Sequence, residues 1–401
     1  MKSRSKATVS LLTAQGQGGI SVITLWGNNA EKILLKIFQP IAPTRFNKKQ
    51  NNQFFYGHIT DNTKIIDEVI VFPVPNKISS FPEPAFEINC HGGAAVTNSI
   101  IKMICSCGAK YIDFSKVLRN LAKTGRISAI EFEVREELTS AVSPLAIKML
   151  LTQLSGALEK EVNKIGRLIY RNRQTAARRI SKLLHSAQTG NFLCKPPEVC
   201  ISGYPNVGKS TLFNKLCGTE RVVVHENPGT TRDIITETVI FNDFAVRISD
   251  SAGIGASSTE IEKIADRFAR RAVKKADYTL FVLDSSRLLN SFEKRLLDSL
   301  DTTKTLLIIS KTDLPRIINK KEILPKLKKI EVSAYKGNGI ERLKRTVIEY
   351  FVAKKSFSLN KAMIFTKRQE NHLLMSLANL KTEKIKKVYE ELHKIVYFNS
   401  C

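Results

Sequence analysis

No stretch of this 401-residue sequence reaches the ~18–20 consecutive apolar residues that a membrane-spanning helix needs, which excludes a helical span. The basic start, Met1 to Lys6, is not followed by an apolar run of signal-peptide shape. Cysteine is sparse: Cys90, Cys105, Cys107, Cys194, Cys200, Cys217 and Cys401 are odd in number, scattered, and form no C-x-x-C pair. That argues against a zinc site and a disulfide framework and fits a reducing compartment. His91 adjoins Cys90, but two neighbours do not make a metal site. No internal repeat is visible. Acidic residues are also short, 37 Asp and Glu against 63 Lys and Arg, a net charge of +26. The excess suits polyanionic partners; it also suits lysine-rich solvated faces, and charge alone leaves both open.

The length calls for two or three domains. Over the first hundred or so residues, short β-type runs (Val9–Thr13, Ile20–Leu25, Glu68–Phe72, Ala85–Asn89) are separated by Gly, Pro and Asn, and a helix is expected over Ala94–Cys105. From Leu138 to Leu184 the pattern reads as continuous helix, with Leu145, Met149, Leu150, Leu154, Leu158, Val162 and Ile165 on one apolar stripe. A Gly/Pro break follows at Thr189–Pro197. Strands at Val199–Ser202, Val239–Phe241, Val246–Ser249, Thr279–Leu283, Leu306–Ile309 and Ile330–Val332 then alternate with helices at Ser210–Leu216, Ile261–Lys275, Ser291–Leu300 and Ile340–Phe351. Such alternation predicts a mainly parallel sheet covered on both faces. Residues 360–398 return to lysine-rich helix.

Gly203-Tyr-Pro-Asn-Val-Gly208-Lys209-Ser210 is a complete phosphate-loop motif between a strand and a helix. Its glycines let backbone N–H groups turn toward a β-phosphate at the helix N-terminus. Asn206, Val207, Gly208 and Thr211 line this loop; Lys209 should reach the β- and γ-phosphates, and the Ser210 hydroxyl should ligate magnesium (Mg2+). Asp250-Ser-Ala-Gly253 supplies the second phosphate motif: Asp250 holds the magnesium through water, and the Gly253 N–H meets the γ-phosphate. Between the two lies a switch-loop candidate, Gly229-Thr230-Thr231-Arg232-Asp233, in which Thr231 completes the magnesium shell. Ser310-Lys311-Thr312-Asp313 reads guanine, since the Asp313 carboxylate can accept from N1–H and N2–H, a pairing adenine cannot offer. Ser333-Ala334 places a backbone amide at guanine O6. Ser310 stands where an Asn is usual, and its lone hydroxyl should weaken base affinity by on the order of 1–2 kcal/mol. GTP is the expected nucleotide.

Taken together, these residues resemble the MnmE (TrmE) family of tRNA-modifying GTPases over nearly the whole chain. Supporting pieces are Gly16-Gln-Gly-Gly19, Ile66-Asp-Glu-Val69, Glu87-Ile-Asn-Cys-His91-Gly-Gly93, Gln153-Leu-Ser-Gly-Ala157, Pro205 to Ser210, Pro228 to Asp233 and Ser251 to Ile254. The resemblance implies an α/β multidomain fold: an N-terminal α+β folate-binding-type, dimer-forming domain (1–117), and a helical domain (118–196 and a shortened 356–401) into which a Ras-like P-loop GTPase domain (197–355) is inserted. It also implies GTP hydrolysis dependent on potassium (K+), in concert with a flavin-dependent MnmG-type partner, on the wobble uridine of certain tRNAs. It further implies that a tetrahydrofolate derivative supplies the carbon and that the protein works as a homodimer. Ile254 follows the Asp250–Gly253 motif where small GTPases carry a water-orienting Gln, so another group must position the attacking water. The resemblance assigns that role to Glu262, otherwise an ordinary first-turn helix carboxylate, and the potassium to Asn206, His225, Asn227 and Thr230. Asn206 can also be read as a loop-capping amide.

Three features depart from the family pattern. Its folate-site arginine aligns with Thr24, its glutamate with Glu87, and its lysine with Arg126, which keeps charge but not geometry. The family's Phe-Cys-x-Gly-Lys tail is not matched by Tyr397 to Cys401, and Cys401 is expected to be an exposed terminal thiol. Two functions follow: a working tRNA-modification GTPase, or a reduced relative acting as a GTP-dependent switch or assembly scaffold. A ribosome-assembly GTPase of the Era/Der type shares the nucleotide motifs but gives no reason for His91-Gly-Gly93. Because Ala7–Ser10 already aligns with the family's first strand, the expected location is cytoplasmic, with no membrane partner.

Overall fold

The computed structural model describes residues 7–13, 18–41, 54–61, 64–75, 81, 84–218, 221–222, 235–250, 275–319, 327–352 and 358–398. Two compact units emerge, Met1–Thr139 with Val396–Cys401, and Ser140–Ile395.

The first unit is built on a seven-stranded sheet: β1 (Thr8–Leu11), β2 (Ile20–Trp26), β3 (Phe38–Pro40), β4 (Phe55–Asp61), β5 (Lys64–Pro73), β6 (Ala85–His91) and β7 (Lys110–Tyr111), in spatial order β3-β4-β5-β6-β2-β1-β7. Its pairings are antiparallel except β1 with β7. Alternation of side chains sends Val9, Ile23, Leu25, Val71 and Ile88 to one face, under helices α1 (Ala30–Ile37) and α2 (Ala94–Ser106). Trp26 and Ala85 point to the other face. There they bury Val117, Leu118, Leu121 and Phe132 of α3 (Phe114–Lys123) and α4 (Ala129–Ser140). Hydrophobic burial carries this compact unit to Thr139. Three of the motifs quoted above meet here. Asp67 accepts from the His91 backbone N–H at 2.8 Å and its carboxylate lies 2.7 Å from His91 Nδ1, while the Gly92 N–H donates to Gly19 at 3.1 Å.

The second unit starts with α5 (Pro144–Leu154), α6 (Ala157–Arg171) and α7 (Arg173–Cys194). The expected single helix over 138–184 is interrupted at three points. Ser143 caps α5 by accepting from the Ala146 N–H, Ser155–Gly156 turn between α5 and α6, and Asn172 caps α7 by accepting from the Thr175 N–H. Conversely, α7 continues through Thr189 and Gly190 to Cys194, because Thr189 is buried and its hydroxyl donates to the Phe351 carbonyl at 3.2 Å. Gln153 fastens a distant segment to α5: its side chain donates to the Lys361 carbonyl at 3.1 Å and accepts from the Met363 N–H at 3.2 Å.

Next comes the second seven-stranded sheet: β8 (Glu198–Gly203), β9 (Arg221–Val222), β10 (Ile235–Phe241), β11 (Phe244–Asp250), β12 (Tyr278–Asp284), β13 (Thr305–Ser310) and β14 (Lys329–Glu331), in order β14-β13-β12-β8-β11-β10-β9. The five strands from β14 to β11 are parallel, and β10 and β9 complete an antiparallel edge. Helices α8 (Lys209–Cys217), α9 (Ser291–Asp298) and α10 (Ile340–Phe351) belong to this region, followed by α11 (Lys367–Lys381) and α12 (Ile385–Val396). The mainly parallel sheet matches the expectation, and β12 and β13 are buried along their whole length, as a sheet covered on both faces requires. All but the last residue of the expected Ile261–Lys275 helix lies outside the described residues.

A candidate guanine-nucleotide site at the strand ends

Parallel strands present their C-terminal ends along one edge, where open α/β sheets bind ligands. That edge gathers Gly203 at the end of β8, Asp250 ending β11, Asp284 ending β12, Ser310 ending β13 and Ser333 just past β14. The phosphate loop leaves β8 with two glycines in left-handed conformations. Gly203 (φ +147) passes so close to β12 that a Cβ would sit 2.5 Å from the Val282 carbonyl oxygen, and Gly208 (φ +97) starts α8. Asn206 is also left-handed, φ +63, and exposed, while Val207 is buried.

Lys209 is only 8% exposed, and its ammonium donates to the carbonyls of Gly203 at 3.0 Å and Tyr204 at 2.7 Å. Burial lowers its pKa, against the opposing pull of the Asp250 charge. The Ser210 hydroxyl donates to Asp250 Oδ2 at 3.1 Å. Two phosphate motifs forty residues apart are thus joined through one pair of hard oxygens, the donor type magnesium prefers. Thr211 is exposed in the first turn of α8.

At the other end of the edge, the Ser333 hydroxyl donates to Asp313 Oδ1 at 2.6 Å. That hydrogen bond, with lesser contributions from its own backbone and from Lys336 and Lys311, holds the Asp313 carboxyl below the usual range. Ala334 follows directly in the tight turn closed by Ser333 N–H to Asn338 at 3.0 Å and Gly337 N–H to Ser333 at 2.8 Å. Ser310 faces inward: its hydroxyl is shared between the carbonyls of Val207 (2.6 Å) and Leu283 (2.9 Å).

Lys311, together with residues not singled out in the sequence, braces the base-reading loop. Lys311, left-handed at φ +55, reaches Asp284 Oδ2 at 2.6 Å. Burial works to raise the Asp284 pKa, but hydrogen bonds from Lys311 and Ser286 outweigh it and keep the carboxyl low. Ser285 donates through its N–H to the Ser310 carbonyl (3.0 Å) and through its hydroxyl to the Lys311 carbonyl (3.0 Å). Arg287 lies over the Tyr204 ring at 5.4 Å and grips the fully buried Glu293 with two hydrogen bonds of 2.8 and 2.7 Å. The signal available in the sequence was an acid, Asp284, closing an otherwise apolar strand.

Of the other expected residues, His225, Asn227, Thr230, Thr231, Gly253 and Glu262 lie outside the described residues. In the first unit Thr24 and Glu87 are register partners on β2 and β6. Thr24 is 0% exposed, with its hydroxyl, like that of Ser10 opposite it, unpartnered. Glu87 is half-buried and burial raises its pKa; Arg126 is exposed in the turn after α3. Enclosed in this way, the Thr24 side chain presents no group to a ligand. Burial pushes the Cys90 and Cys200 thiols up to about 11, which leaves neither as a thiolate nucleophile. Among the described residues no group of three or more His, Cys, Asp or Glu side chains is gathered as a metal site, and no helix is long and apolar enough to cross a membrane.

Residues 198–311 match the family described as "50S ribosome-binding GTPase", and residues 7–116 match "GTP-binding protein TrmE N-terminus". The tRNA modification GTPase MnmE of Thermoanaerobacter sp. (strain X514) is 31% identical over 369 residues, 84% of this chain and 80% of that protein. Its counterpart in Clostridioides difficile (strain 630) is 29% identical over 394 residues, 91% of this chain and 86% of that protein. Among solved structures, the G domain of the T. maritima FeoB iron transporter is 26% identical and covers 38% of this chain and 98% of its own, with a TM-score of 0.28. Aquifex aeolicus Era bound to GDP and AlF4- is 24% identical, over 45% of this chain and 65% of its own, with a TM-score of 0.30. The two family matches, together with 31% identity over most of both chains, place this chain in the MnmE family of tRNA modification GTPases.

Proposed function

We propose that this chain binds and hydrolyses GTP to drive modification of the wobble uridine of certain tRNAs, in the 5-carboxymethylaminomethyluridine pathway, with a flavin-dependent MnmG-type partner. The observation that carries the nucleotide part is the convergence of Lys209, Ser210 and Asp250 at one end of the strand edge with Asp313 and Ser333 at the other. The tRNA part rests on family membership.

Lys209 would exchange its two loop carbonyls for the β- and γ-phosphates, and the backbone N–H groups of 206–210 would cradle the β-phosphate. Ser210 and Asp250, with Thr231, would hold magnesium, which supplies charge neutralisation along the phosphates. Asn206, His225, Asn227 and Thr230 would hold potassium, and Glu262 would orient the attacking water. Asp313 would accept from guanine N1–H and N2–H, with the Ala334 amide at O6.

The domain assignment proposed is a folate-type dimerisation domain at 1–117, helical segments at 118–196 and 356–401, and the inserted GTPase domain at 197–355, in a cytoplasmic protein. Support for a homodimer comes from the outer side of β4–β5, where Phe54, Tyr56, Ile70 and Phe72 are exposed and the Phe54 and Phe72 rings lie 6.0 Å apart. The enclosed Thr24 supports a second reading, a GTP-dependent switch without the modification step. Mass spectrometry of wobble uridines in a host lacking its own enzyme and supplied with this chain separates the two. Restored modification supports the first; unmodified uridines beside normal GTP hydrolysis leave the switch.

A further inference from the structure

The helices α6 and α7 form a hairpin whose outer side is charged in one sense only. Residues 157–194 contain eight lysines and arginines against two acids, Glu159 and Glu161. Arg179 is held by Glu161 at 2.6 Å and Arg173 by Glu383 at 3.0 Å. The remaining six, Lys160, Lys164, Arg167, Arg171, Arg178 and Lys182, are exposed and have no ion-pair partner among the described residues.

Their spacing makes a surface of them. At 3.6 residues per turn, Lys160, Lys164, Arg167 and Arg171 fall within about 60° of one another on α6. They lie opposite the buried Leu158, Val162, Ile165 and Ile169. On α7, Arg178 and Lys182 stand opposite the buried Ala176, Ile180, Leu183 and Ala187 in the same way. The α6 stripe is about 16 Å long, and packed helices run about 8–10 Å apart. At the tip, next to Arg171, Tyr170 is 68% exposed. Like charges at three- and four-residue steps oppose helix stability, so this arrangement works against the fold that carries it.

We infer that the outer face of the α6–α7 hairpin docks the phosphate backbone of a folded RNA, and that its occupant is tRNA; this rests on the tRNA reading above. Regularly spaced cations without counter-ions neutralise phosphates and release their counterions. Exposed Tyr170 offers a stacking platform for an unpaired base. A lipid surface fits less well, because an interfacial helix puts its apolar face into the membrane, and here both apolar faces are occupied by the protein core. An acidic protein fits less well too, since protein interfaces are anchored by buried apolar and aromatic groups, and this face has Tyr170 alone.

The test uses the full chain, carrying Lys164→Gln, Arg167→Gln and Arg171→Gln together, with fluorescence anisotropy of labelled tRNA across a salt series. A control carries Lys32→Gln, Lys36→Gln and Lys102→Gln, exposed lysines of α1 and α2. The hairpin variant should bind tRNA roughly ten-fold or more weakly, and its log–log salt slope should be shallower by about 2–3, one phosphate contact per residue removed. Its melting temperature should equal or exceed that of the parent, since like charges are removed, and its RNA-free GTP hydrolysis should match. If the parent binds tRNA and the hairpin variant loses no more than the control, the docking face is wrong and the tRNA reading stands. A parent with no affinity for tRNA ends both. Tighter binding of the parent to phosphatidylserine vesicles than to tRNA, abolished by the hairpin changes, overturns the RNA assignment in favour of a membrane.

Discussion

The Ser310 hydroxyl donates to the Val207 carbonyl at 2.6 Å, and so ties the loop that reads the base to the loop that holds the phosphates. The side chain is buried and also faces the Leu283 carbonyl at 2.9 Å, on the strand between them. Asparagine at this position was expected from the motif, and serine was expected to cost base affinity. In the folded chain the serine works as a brace, its hydroxyl directed at two main-chain oxygens. Replacing it with alanine should leave the Val207 and Leu283 oxygens short of a partner and destabilise the protein by about 1–3 kcal/mol. Thermal melting checks the stability, and stopped-flow release of a fluorescent GDP should become faster. Unchanged melting and release would mean that the two loops are positioned independently.

Ser210→Ala removes the hydroxyl that meets Asp250 at 3.1 Å. The expected outcome is GTP affinity that no longer improves when magnesium is added, with a smaller change in affinity without metal. Titration of a fluorescent GTP analogue with and without EDTA reads this directly. A full magnesium response in the variant places the metal elsewhere.

Asp313 must be ionised to accept from guanine, and the Ser333 hydroxyl holds its carboxyl below the usual range. A depressed folded pKa means that the carboxylate persists as pH falls through the ordinary aspartate range and is lost only below it. Ser333→Ala should move that loss to higher pH. It should also weaken GTP at neutral pH by about 1 kcal/mol, close to five- to ten-fold. Carbon-detected NMR titration of the Asp313 carboxyl follows the shift, and an identical midpoint in the variant removes Ser333 as its cause.

GTP hydrolysis should be faster in potassium than in sodium chloride of the same strength, through Asn206. Glu262→Ala should retain GTP affinity and slow turnover. Equal rates in the two salts, or an unaffected Glu262→Ala, return these side chains to loop and surface roles.

Calorimetry with 5-formyl-tetrahydrofolate should give weak binding or none, since Thr24 is enclosed between β1 and β6 and Arg126 does not reproduce a lysine. Tight binding would show another group compensating for position 24.

The nucleotide motifs were legible in the sequence because each is local: a loop between a strand and a helix, or an acid just past a buried strand, is set by a few consecutive residues and their alternation. Strand and helix order for the parallel sheet followed from the same periodicities. Other features depend on residues far apart in the chain. Continuous apolar periodicity could not reveal that Ser143, Gly156 and Asn172 divide one helical stretch among α4, α5, α6 and α7. Nor could it show that α3 and α4 bury Val117, Leu121 and Phe132 on Trp26. Identity of residue type fixed that Lys209, Asp250 and Asp313 carry the right chemistry. Only packing decided that Ser310 braces Val207, that Asp284 and Ser285 hold the base loop, and that Thr24 is sealed away, because contact across a sheet is set by register and burial and not by distance along the chain.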